Sequence, residues 1–196
     1  MNPLGLLEHP LVYGFSQKLN PMTVGIYRRL LSDYVVTSTK GPVLDIGCGV
    51  GVHRDLFPAH EYVGIDINPD YIAAATRAHG AGFLAMDAGS LKFPPDSFEA
   101  AFSVATCHHL DDERIRLMTL EVMRTLRPNG AFHIIDPVLP ASSRAALKRL
   151  LFLNDRGRHQ RTLSSLTALL ARCARIRDLD LRCGILHDVC YIRLTP

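Results

Sequence analysis

The sequence predicts a doubly wound α/β domain, in which a mostly parallel seven-stranded sheet carries helices on both faces. Five short apolar segments alternate with helical segments, two strand-like segments end the chain, and polar residues follow the apolar segments where strands would end. Two strands joined by a short turn pair antiparallel, so the sheet should end in an antiparallel hairpin. Because 196 residues is the length of one domain, we expect a single domain over residues 1–196.

The predicted helices and strands follow one another in a regular order. Apolar residues at helical spacing predict a first helix over 22–36. After the second strand, Asn68 can cap a helix whose first turn suits Pro69. The predicted strands are 43–46, 62–66, 83–86, 100–104, 131–135, 176–182 and 189–194. Further helices are predicted from near residue 52 and over 112–126, 142–153 and 163–174.

The composition argues against several other classes of protein. Hydrophobic residues at 47% and charged residues at 21% are typical of a globular protein rather than a disordered one. The longest nearly charge-free stretch, 100–110, is too short to span a bilayer, and the first residues lack a signal-peptide pattern, so we expect a cytoplasmic protein. Five cysteines without a C-x-x-C pair support neither a disulfide framework nor a zinc site, and no metal is expected.

Charge is distributed unevenly along the chain. Residues 1–140 contain 11 Lys and Arg against 15 Asp and Glu, whereas residues 141–196 contain 11 against 4. A basic C-terminal part can bind nucleic acid or an anionic substrate. Arg156, Arg158 and Arg161 lie between two predicted helices. Their guanidinium groups could hold a carboxylate or phosphate of a substrate, or pair with Asp155 or Asp178.

The segment after the first strand, which we call the glycine loop, is Gly47-Cys48-Gly49-Val50-Gly51. Its glycines let the backbone approach a ligand closely, at the strand ends where doubly wound sheets bind their ligands. A dinucleotide fingerprint would need glycine at position 52, which is valine, and no G-x-x-x-x-G-K-[ST] phosphate loop is present. Pyrophosphate is therefore a poor ligand for this loop.

Aspartates accompany the first three predicted strands. Asp45 lies in the first strand, Asp66 ends the second and Asp87 follows the third. A carboxylate only accepts hydrogen bonds, so Asp66 suits vicinal hydroxyls and Asp87 suits an amine. Ile67 adds an apolar face and Ala88 a backbone N–H. Together these residues favour a ligand with a positive charge, a ribose diol and an exocyclic amine.

These motifs resemble the class I S-adenosylmethionine-dependent methyltransferases, whose fold is Rossmann-like, and the resemblance covers about residues 22–196. In such enzymes the glycine loop lies against the methionine and ribose, and the acids after strands two and three bind the ribose hydroxyls and the adenine amine. A methyl group on sulfonium is already activated, so the reaction needs no metal. The resemblance implies that S-adenosylmethionine and its product S-adenosylhomocysteine are bound by Asp45, Gly47, Cys48, Gly49, Gly51, Asp66, Ile67, Asp87, Ala88, Ser103 and Val104.

The segment after the fourth strand is similar to that of small-molecule methyltransferases related to quinone and natural-product enzymes. The histidine that recurs there directly precedes a leucine, which makes His109 the candidate base towards a hydroxyl acceptor. The neighbouring His108 is a candidate substrate contact. The other interpretation is a histidine that anchors the loop. Residues 1–21, with Tyr13, are expected to form a lid or a tail, 22–140 the cofactor part, and 141–196 the acceptor side.

Two other functions stay open beside methyl transfer to a small organic acceptor. An RNA methyltransferase could use the basic C-terminal part, although the Asn/Asp-Pro-Pro-aromatic motif of nucleic-acid amine methyltransferases is absent after strand four. Cys107 follows Thr106 rather than the proline that precedes the nucleophile of pyrimidine-carbon methyltransferases. A protein that binds the same cofactor for another reaction, or for none, would keep the same loop and carboxylates. The sequence leaves the oligomeric state open.

Overall fold

A computed structural model describes residues 21–140, 159–183 and 188–196, and these residues form a seven-stranded sheet of order β3-β2-β1-β4-β5-β7-β6. The strands are β1 Val43–Ile46, β2 Tyr62–Asp66, β3 Phe83–Ala85, β4 Phe98–Val104, β5 Leu126–Val138, β6 Arg175–Cys183 and β7 Asp188–Thr195. Strand β7 runs antiparallel to β5 and β6, and the other neighbouring strands pair in parallel. The predicted fold class and its terminal hairpin are confirmed.

The helices follow the predicted order with one exception. They are α1 Pro21–Leu31, which continues as a π-helical turn Ser32–Val36, α2 Pro69–His79, α3 Asp112–Thr125 and α4 Leu163–Leu170. The predicted helix near residue 52 is wrong, because only a 3-10 turn forms at Arg54–Leu56. This turn lacks a side-chain cap, and Pro58 prevents Phe57 from continuing a helix. The predicted helix over 142–153 lies outside the described residues.

Two apolar clusters lie on opposite faces of the sheet. Successive strand residues point to opposite faces, so Ala101 of β4 joins one cluster and Phe102 joins the other. The first cluster contains Met118 of α3 together with residues of α4, and the second contains Leu31 of α1 and Ile72 of α2. The described helices therefore cover both faces, and the central strands are buried on both sides.

Strand β5 begins before the predicted 131–135 because Pro128-Asn129-Gly130 is part of it. Pairing with β4 shifts from Phe98 opposite Leu126 to Ala100 opposite Ala131, which places a bulge in this segment. Within the described residues, no helix is long and apolar enough to cross a membrane.

Candidate active site

The glycine loop lies at the carboxyl ends of the parallel strands, directly after β1. Gly47, Gly49 and Gly51 have φ values of +72°, +54° and +79°, a region that residues with side chains rarely adopt. Gly47 N and Cys48 N both donate to the carbonyl oxygen of Ile65, at 2.8 and 2.9 Å, so the loop is fastened to β2. The cysteine side chain is buried, and the loop presents mainly backbone to its surroundings.

Asp66 joins the end of β2 to the glycine loop. Its Oδ2 accepts from Gly49 N at 3.0 Å and its Oδ1 accepts from Asn68 N at 2.8 Å. Burial raises the pKa of this carboxyl, and the hydrogen bonds from Asn68 and Gly49 oppose the increase. The side chain remains partly exposed, so the carboxylate can accept further hydrogen bonds from a ligand at the loop.

Asp45 lies beneath the loop rather than at its open side. Its carboxyl is buried and accepts a hydrogen bond of 2.5 Å from the hydroxyl of Tyr62 on β2. Burial raises the pKa of Asp45 to about 7, against the lowering effect of the Tyr62 hydrogen bond, and the nearby charge of Asp66 adds to the increase. This position suits a group that supports the loop from the sheet.

Asp87 and Ala88 border a cavity of about 320 Å³ between the loop after β3 and the start of α3. Asp87 Oδ1 accepts from Gly89 N at 2.9 Å, and its Oδ2 lies 3.7 Å from Nη1 of Arg114. Ile67 directly follows β2, the strand that pairs with β3. Its large apolar side chain is 66% exposed. The structure thus places a carboxylate, a cavity and an exposed apolar face at the ends of β2 and β3.

Ser103 and Val104 end β4 with buried side chains that pack into the protein rather than towards the open edge. Only their backbones can therefore face a ligand at this edge. Ala105, the next residue, has φ of +51°, which is uncommon for a residue with a side chain and occurs where the chain turns sharply over the sheet.

The turn Cys107–His109, which we call the histidine turn, follows β4 and is held by an aspartate of β5. Asp136 accepts backbone hydrogen bonds from Thr106, Cys107 and His108, and it also contacts the Nδ1 atom of His108 at 2.9 Å. Asp136 is not among the site residues predicted from the sequence. It follows the apolar pair Ile134-Ile135, as Asp66 follows Ile65 at the end of β2, and that pattern could have identified it.

His108 and His109 occupy different environments on the histidine turn. His108 is buried, whereas His109 is exposed, and their ring centroids lie 4.1 Å apart. The backbone also fixes the position of His108, because its carbonyl oxygen accepts from His159 N at 3.0 Å. The ring contact with Asp136 described above is made by His108.

Arg161 holds the histidine turn from the other side. Its guanidinium donates to the carbonyl oxygens of Cys107 at 3.2 Å and Leu110 at 2.9 Å, and it pairs with Asp112 at 2.6 Å. The side chain is 11% exposed. The arginine therefore belongs to the framework of the site, while Asp178, an alternative partner in the sequence, pairs with Arg193.

Several predicted site groups cannot be placed, since Tyr13, Arg156 and Arg158 lie outside the described residues. In the ranges that the structure describes, no group of three or more His, Cys, Asp or Glu side chains could hold a metal ion. The structure does bring the glycine loop, Asp66 and the histidine turn to one edge of the sheet.

Comparison with known proteins matches residues 43–130 to the family model of a methyltransferase domain. The chain is 35% identical to sterol 24-C-methyltransferase erg6 of Aspergillus fumigatus over 48% of its own length and 27% of that protein. It is 30% identical to a phthiotriol/phenolphthiotriol dimycocerosates methyltransferase of Mycobacterium tuberculosis, over 62% of this chain and 46% of that protein. A tRNA (carboxymethyluridine(34)-5-O)-methyltransferase of Arabidopsis thaliana is 34% identical over 45% of this chain and 22% of that protein.

Solved structures share the fold at lower sequence identity. A methyltransferase of Methanosarcina mazei described as dependent on S-adenosylmethionine superposes with a TM-score of 0.69 at 22% identity, covering 83% of this chain and 97% of that one. The [4+2]-cyclase SpnF superposes with a TM-score of 0.67 at 18% identity, covering 86% of this chain and 80% of that one.

The strand order, the glycine loop and the match over residues 43–130 agree on one class of protein. Residues 43–130 match a methyltransferase domain, and the fold is the Rossmann-like fold of the class I S-adenosylmethionine-dependent methyltransferases. The chain spans between 22% and 46% of the length of the curated relatives described above.

Proposed function

We propose that the protein transfers a methyl group from S-adenosylmethionine to a small organic acceptor. The observation that carries this proposal is the pair of hydrogen bonds that joins Asp66 to Gly49 and Asn68, because it places a partly exposed carboxylate against a loop of backbone at the strand ends. A sulfonium cofactor with a ribose diol matches this combination of groups.

The residues present fit the cofactor in three parts. Gly47, Gly49 and Gly51 would face the methionine and ribose with their backbone, and Asp66 would accept from the ribose hydroxyls. The cavity beside the third strand would take the adenine, with Asp87 accepting from its amine. Asp45 would support the glycine loop, and Cys48 and Ile67 would contribute apolar packing. The remaining proposed contacts are made by the backbone of Ala88, Ser103 and Val104.

When bound, the cofactor supplies a methyl group that its sulfonium has already activated. The chain then needs to hold the acceptor in line with that methyl group and to exclude water. The histidine turn lies beside the glycine loop, so His108 and His109 would border the acceptor. Tyr13, Arg156 and Arg158 remain predicted acceptor contacts, and a cytoplasmic location remains a prediction from sequence.

Two features favour a small acceptor over RNA. The curated relatives include a sterol methyltransferase and a phthiotriol/phenolphthiotriol dimycocerosates methyltransferase, and the sequence lacks the nucleic-acid amine motif after β4. RNA is the second candidate because one relative is a tRNA methyltransferase and residues 141–196 are basic. A third candidate is another reaction on the same cofactor, since a cyclase shares the fold.

The test combines binding with label transfer. Calorimetry should show that the protein binds S-adenosylmethionine, and incubation with methyl-tritiated cofactor and a whole extract of the source cells should move label into the small-molecule fraction. Label in the RNA fraction instead would establish the second candidate. Binding without any label transfer would favour the third, and a failure to bind the cofactor would refute the proposal.

A further inference from the structure

Strand β6 forms one edge of the sheet and leaves apolar side chains open to solvent. In the order of strands that the structure describes, β6 is outermost and pairs with β7 alone. Leu179 is 52% exposed and Leu181 is 43% exposed, and Cys183 is exposed as well. The outer N–H and C=O groups of such a strand are a template on which another strand can pair.

The two faces of this strand differ in their chemistry. Leu179 and Leu181 lie opposite two residues of β7 that belong to the same apolar cluster as residues of α3 and α4, so they lie on that face of the sheet. Asp180 and Arg182 lie on the other face and pair with each other at 2.6 Å. The aspartate also accepts from the hydroxyl of Tyr34 at 3.2 Å. The strand therefore presents an apolar side and a charged side to whatever pairs with its outer edge.

The first half of β6 is poorly suited to pairing at that edge. Its register with β7 shifts between Ile176 and Asp178, which places a bulge at this end. Arg175 and Arg177 are exposed there, and bulges and charged side chains are the features that keep edge strands from pairing with other chains. Pairing from Asp178 to Cys183 is regular, so the outer edge is open in this half of the strand.

A second copy of the same strand complements residues 179–183. Two copies related by a two-fold axis pair antiparallel, and residues directly opposite each other lie on the same face. With the axis at Leu181, this leucine meets its own copy, and Leu179 meets the partner's Cys183. On the charged face, Asp180 lies opposite the partner's Arg182, and symmetry forms the same pair a second time. Each of these charges then has an opposite charge beside it in its own strand and another across the interface.

Neighbouring registers of the two strands are less favourable. An axis at Asp180 would place two aspartates opposite each other, and an axis at Arg182 would place two arginines so. An axis at Leu179 would place Asp178 opposite Asp180 twice, and like charges directly opposite each other destabilise a sheet. An axis between two residues would bring apolar and charged faces together. The axis at Leu181 is the one that sets apolar against apolar side chains and acid against base.

We propose that the protein forms a homodimer in which the β6 strands of two copies pair antiparallel about Leu181 and join the two sheets into one. The dimer does not depend on the proposed methyl transfer. Strands β4, β5 and β7 separate β6 from β1 and its glycine loop, so the pairing leaves the proposed cofactor site of each copy open. A pairing along residues 179–183 buries less surface than a standard interface, and we expect dissociation in the micromolar range.

Reversal of charges tests the cross-strand pairs. Sedimentation velocity of the full chain from about 1 to 100 μM should show a reversible monomer–dimer equilibrium. Asp180→Arg sets arginine against arginine in both pairs and should raise the Kd about 10- to 100-fold. Adding Arg182→Asp restores opposite charges across the interface and should recover the dimer. Asp70→Arg changes the net charge equally at an exposed position of α2 and should leave the Kd unchanged.

Cysteine cross-linking with copper–phenanthroline as the oxidant determines the register. In a Cys183→Ser background, Leu181→Cys should give a disulfide-linked dimer, because opposite Cα atoms lie about 4.5–5.5 Å apart. Leu179→Cys in the same background should stay unlinked, because its two copies lie about 13 Å apart. With Cys183 retained, Leu179→Cys should form a disulfide with the partner's Cys183. Near-ultraviolet circular dichroism checks the fold of each variant, and Leu181→Lys, which sets two ammonium groups together at the axis, is a second variant that should abolish the dimer.

Three results would overturn the proposal. The first is a wild-type protein that stays monomeric at about 100 μM. Protection of the outer β6 amides from hydrogen exchange in that monomer would show that another part of the chain covers the edge. The second is a dimer that Asp180→Arg and Leu181→Lys both leave intact, or that Asp70→Arg disrupts equally. The third is a cross-link at Leu179→Cys but not at Leu181→Cys in the Cys183→Ser background, which would place the axis elsewhere.

Discussion

The hydroxyl oxygen of Thr106 lies 2.6 Å from the point that a Cβ atom on Gly47 would occupy, and the methyl carbon of the same threonine lies 2.8 Å from that point. Gly47 also has φ of +72°. The loop after β1 and the loop after β4 therefore touch through a contact that only glycine permits. This contact couples the proposed cofactor loop to the turn that carries the two histidines.

Gly47→Ala should destabilise the protein for two separable reasons. The positive φ costs a residue with a side chain about 1–2 kcal/mol, and the contact with Thr106 adds an overpacking cost of about 1–3 kcal/mol. Adding Thr106→Ala removes the clashing atoms, so the double variant should recover the second cost and retain the first. Urea unfolding of both single variants and the double variant measures this coupling, and strictly additive free energies would contradict the contact.

Asp66→Asn should weaken cofactor binding by about 1–3 kcal/mol, because charge-assisted hydrogen bonds to the ribose are replaced by weaker ones. The amide keeps one oxygen for Gly49 N or Asn68 N, so the loop should stay folded. Asp70→Asn makes the same chemical change at an exposed position in the first turn of α2 and is the matched control. Calorimetry that finds equal affinity in the two variants would remove Asp66 from the binding site.

Local patterns in the sequence predicted part of the sheet edge. The carboxyl ends of β1, β2 and β4 and the cap at Asn68 depend on neighbours in the chain, and they agree with the structure. The Oδ1 atom of Asn68 accepts from Asp70 N at 2.9 Å. The environment of Asp45 could not be predicted this way. Its burial depends on the pairing of β1 with β2, which brings the Tyr62 hydroxyl to the carboxyl.

The histidine turn was harder to predict because its contacts join distant parts of the chain. Asp136 reaches back about 30 residues to the histidine turn, and Arg161 reaches back 51 residues to Leu110. Resemblance alone singled out His109 over its neighbour. One step along a 3-10 turn changes the direction of a side chain, so the structure was needed to show that His108 contacts the aspartate.

The raised pKa of Asp45, about 7, predicts a specific effect of pH on stability. Between pH 4 and 7 the folded protein holds this proton and the unfolded chain has released it, so the contribution of Asp45 to stability falls as the pH rises through this range. Asp45→Asn cannot ionise, and its amide oxygen can still accept from Tyr62. Without cofactor, the variant should be more stable than the wild type at pH 8, by on the order of 2–4 kcal/mol.

Thermal unfolding at pH 5 and pH 8 measures this difference for Asp45→Asn. The variant should gain stability relative to the wild type as the pH rises. A constant difference between the two proteins at both pH values would show that Asp45 does not change protonation in this range. Tyr62→Phe is the companion variant, since loss of the hydroxyl should raise the pKa of Asp45 further.

His133 should have the opposite effect on pH dependence. Burial, together with the charge of Arg193, lowers its pKa to about 4, so the folded protein keeps the imidazole neutral while the unfolded chain takes up a proton below about pH 6.5. Its contribution is present above pH 6.5 and is lost as the pH falls towards 4. His133→Gln should therefore flatten the acid side of the stability curve, measured by urea unfolding from pH 4 to 7. Burial also lowers the pKa of His53 to about 4. In the His133→Gln variant, His53 should therefore still contribute its own part of the dependence of stability on pH.

Arg161→Met should loosen the histidine turn while leaving the sheet intact. The substitution leaves the carbonyl oxygens of Cys107 and Leu110 without their guanidinium donor, and each unsatisfied buried group costs about 1–3 kcal/mol. Arg193→Met is the matched control, because its pairing with Asp178 is roughly half exposed and such pairs contribute about 0–1 kcal/mol. The expected result is a global loss of about 2–4 kcal/mol for Arg161→Met and less than about 1 kcal/mol for the control.

Hydrogen exchange locates the effect of Arg161→Met within the structure. The amides of Thr106, Cys107 and His108 donate to Asp136, so they should exchange faster in the variant if the arginine holds the turn against this carboxylate. Amides in the centre of β1 and β4 should lose protection only by the global change. Arg161→Lys, which can donate to one carbonyl but cannot span both, should lie between the wild type and the methionine variant. Unchanged exchange at these three amides in Arg161→Met would show that Asp136 alone holds the turn.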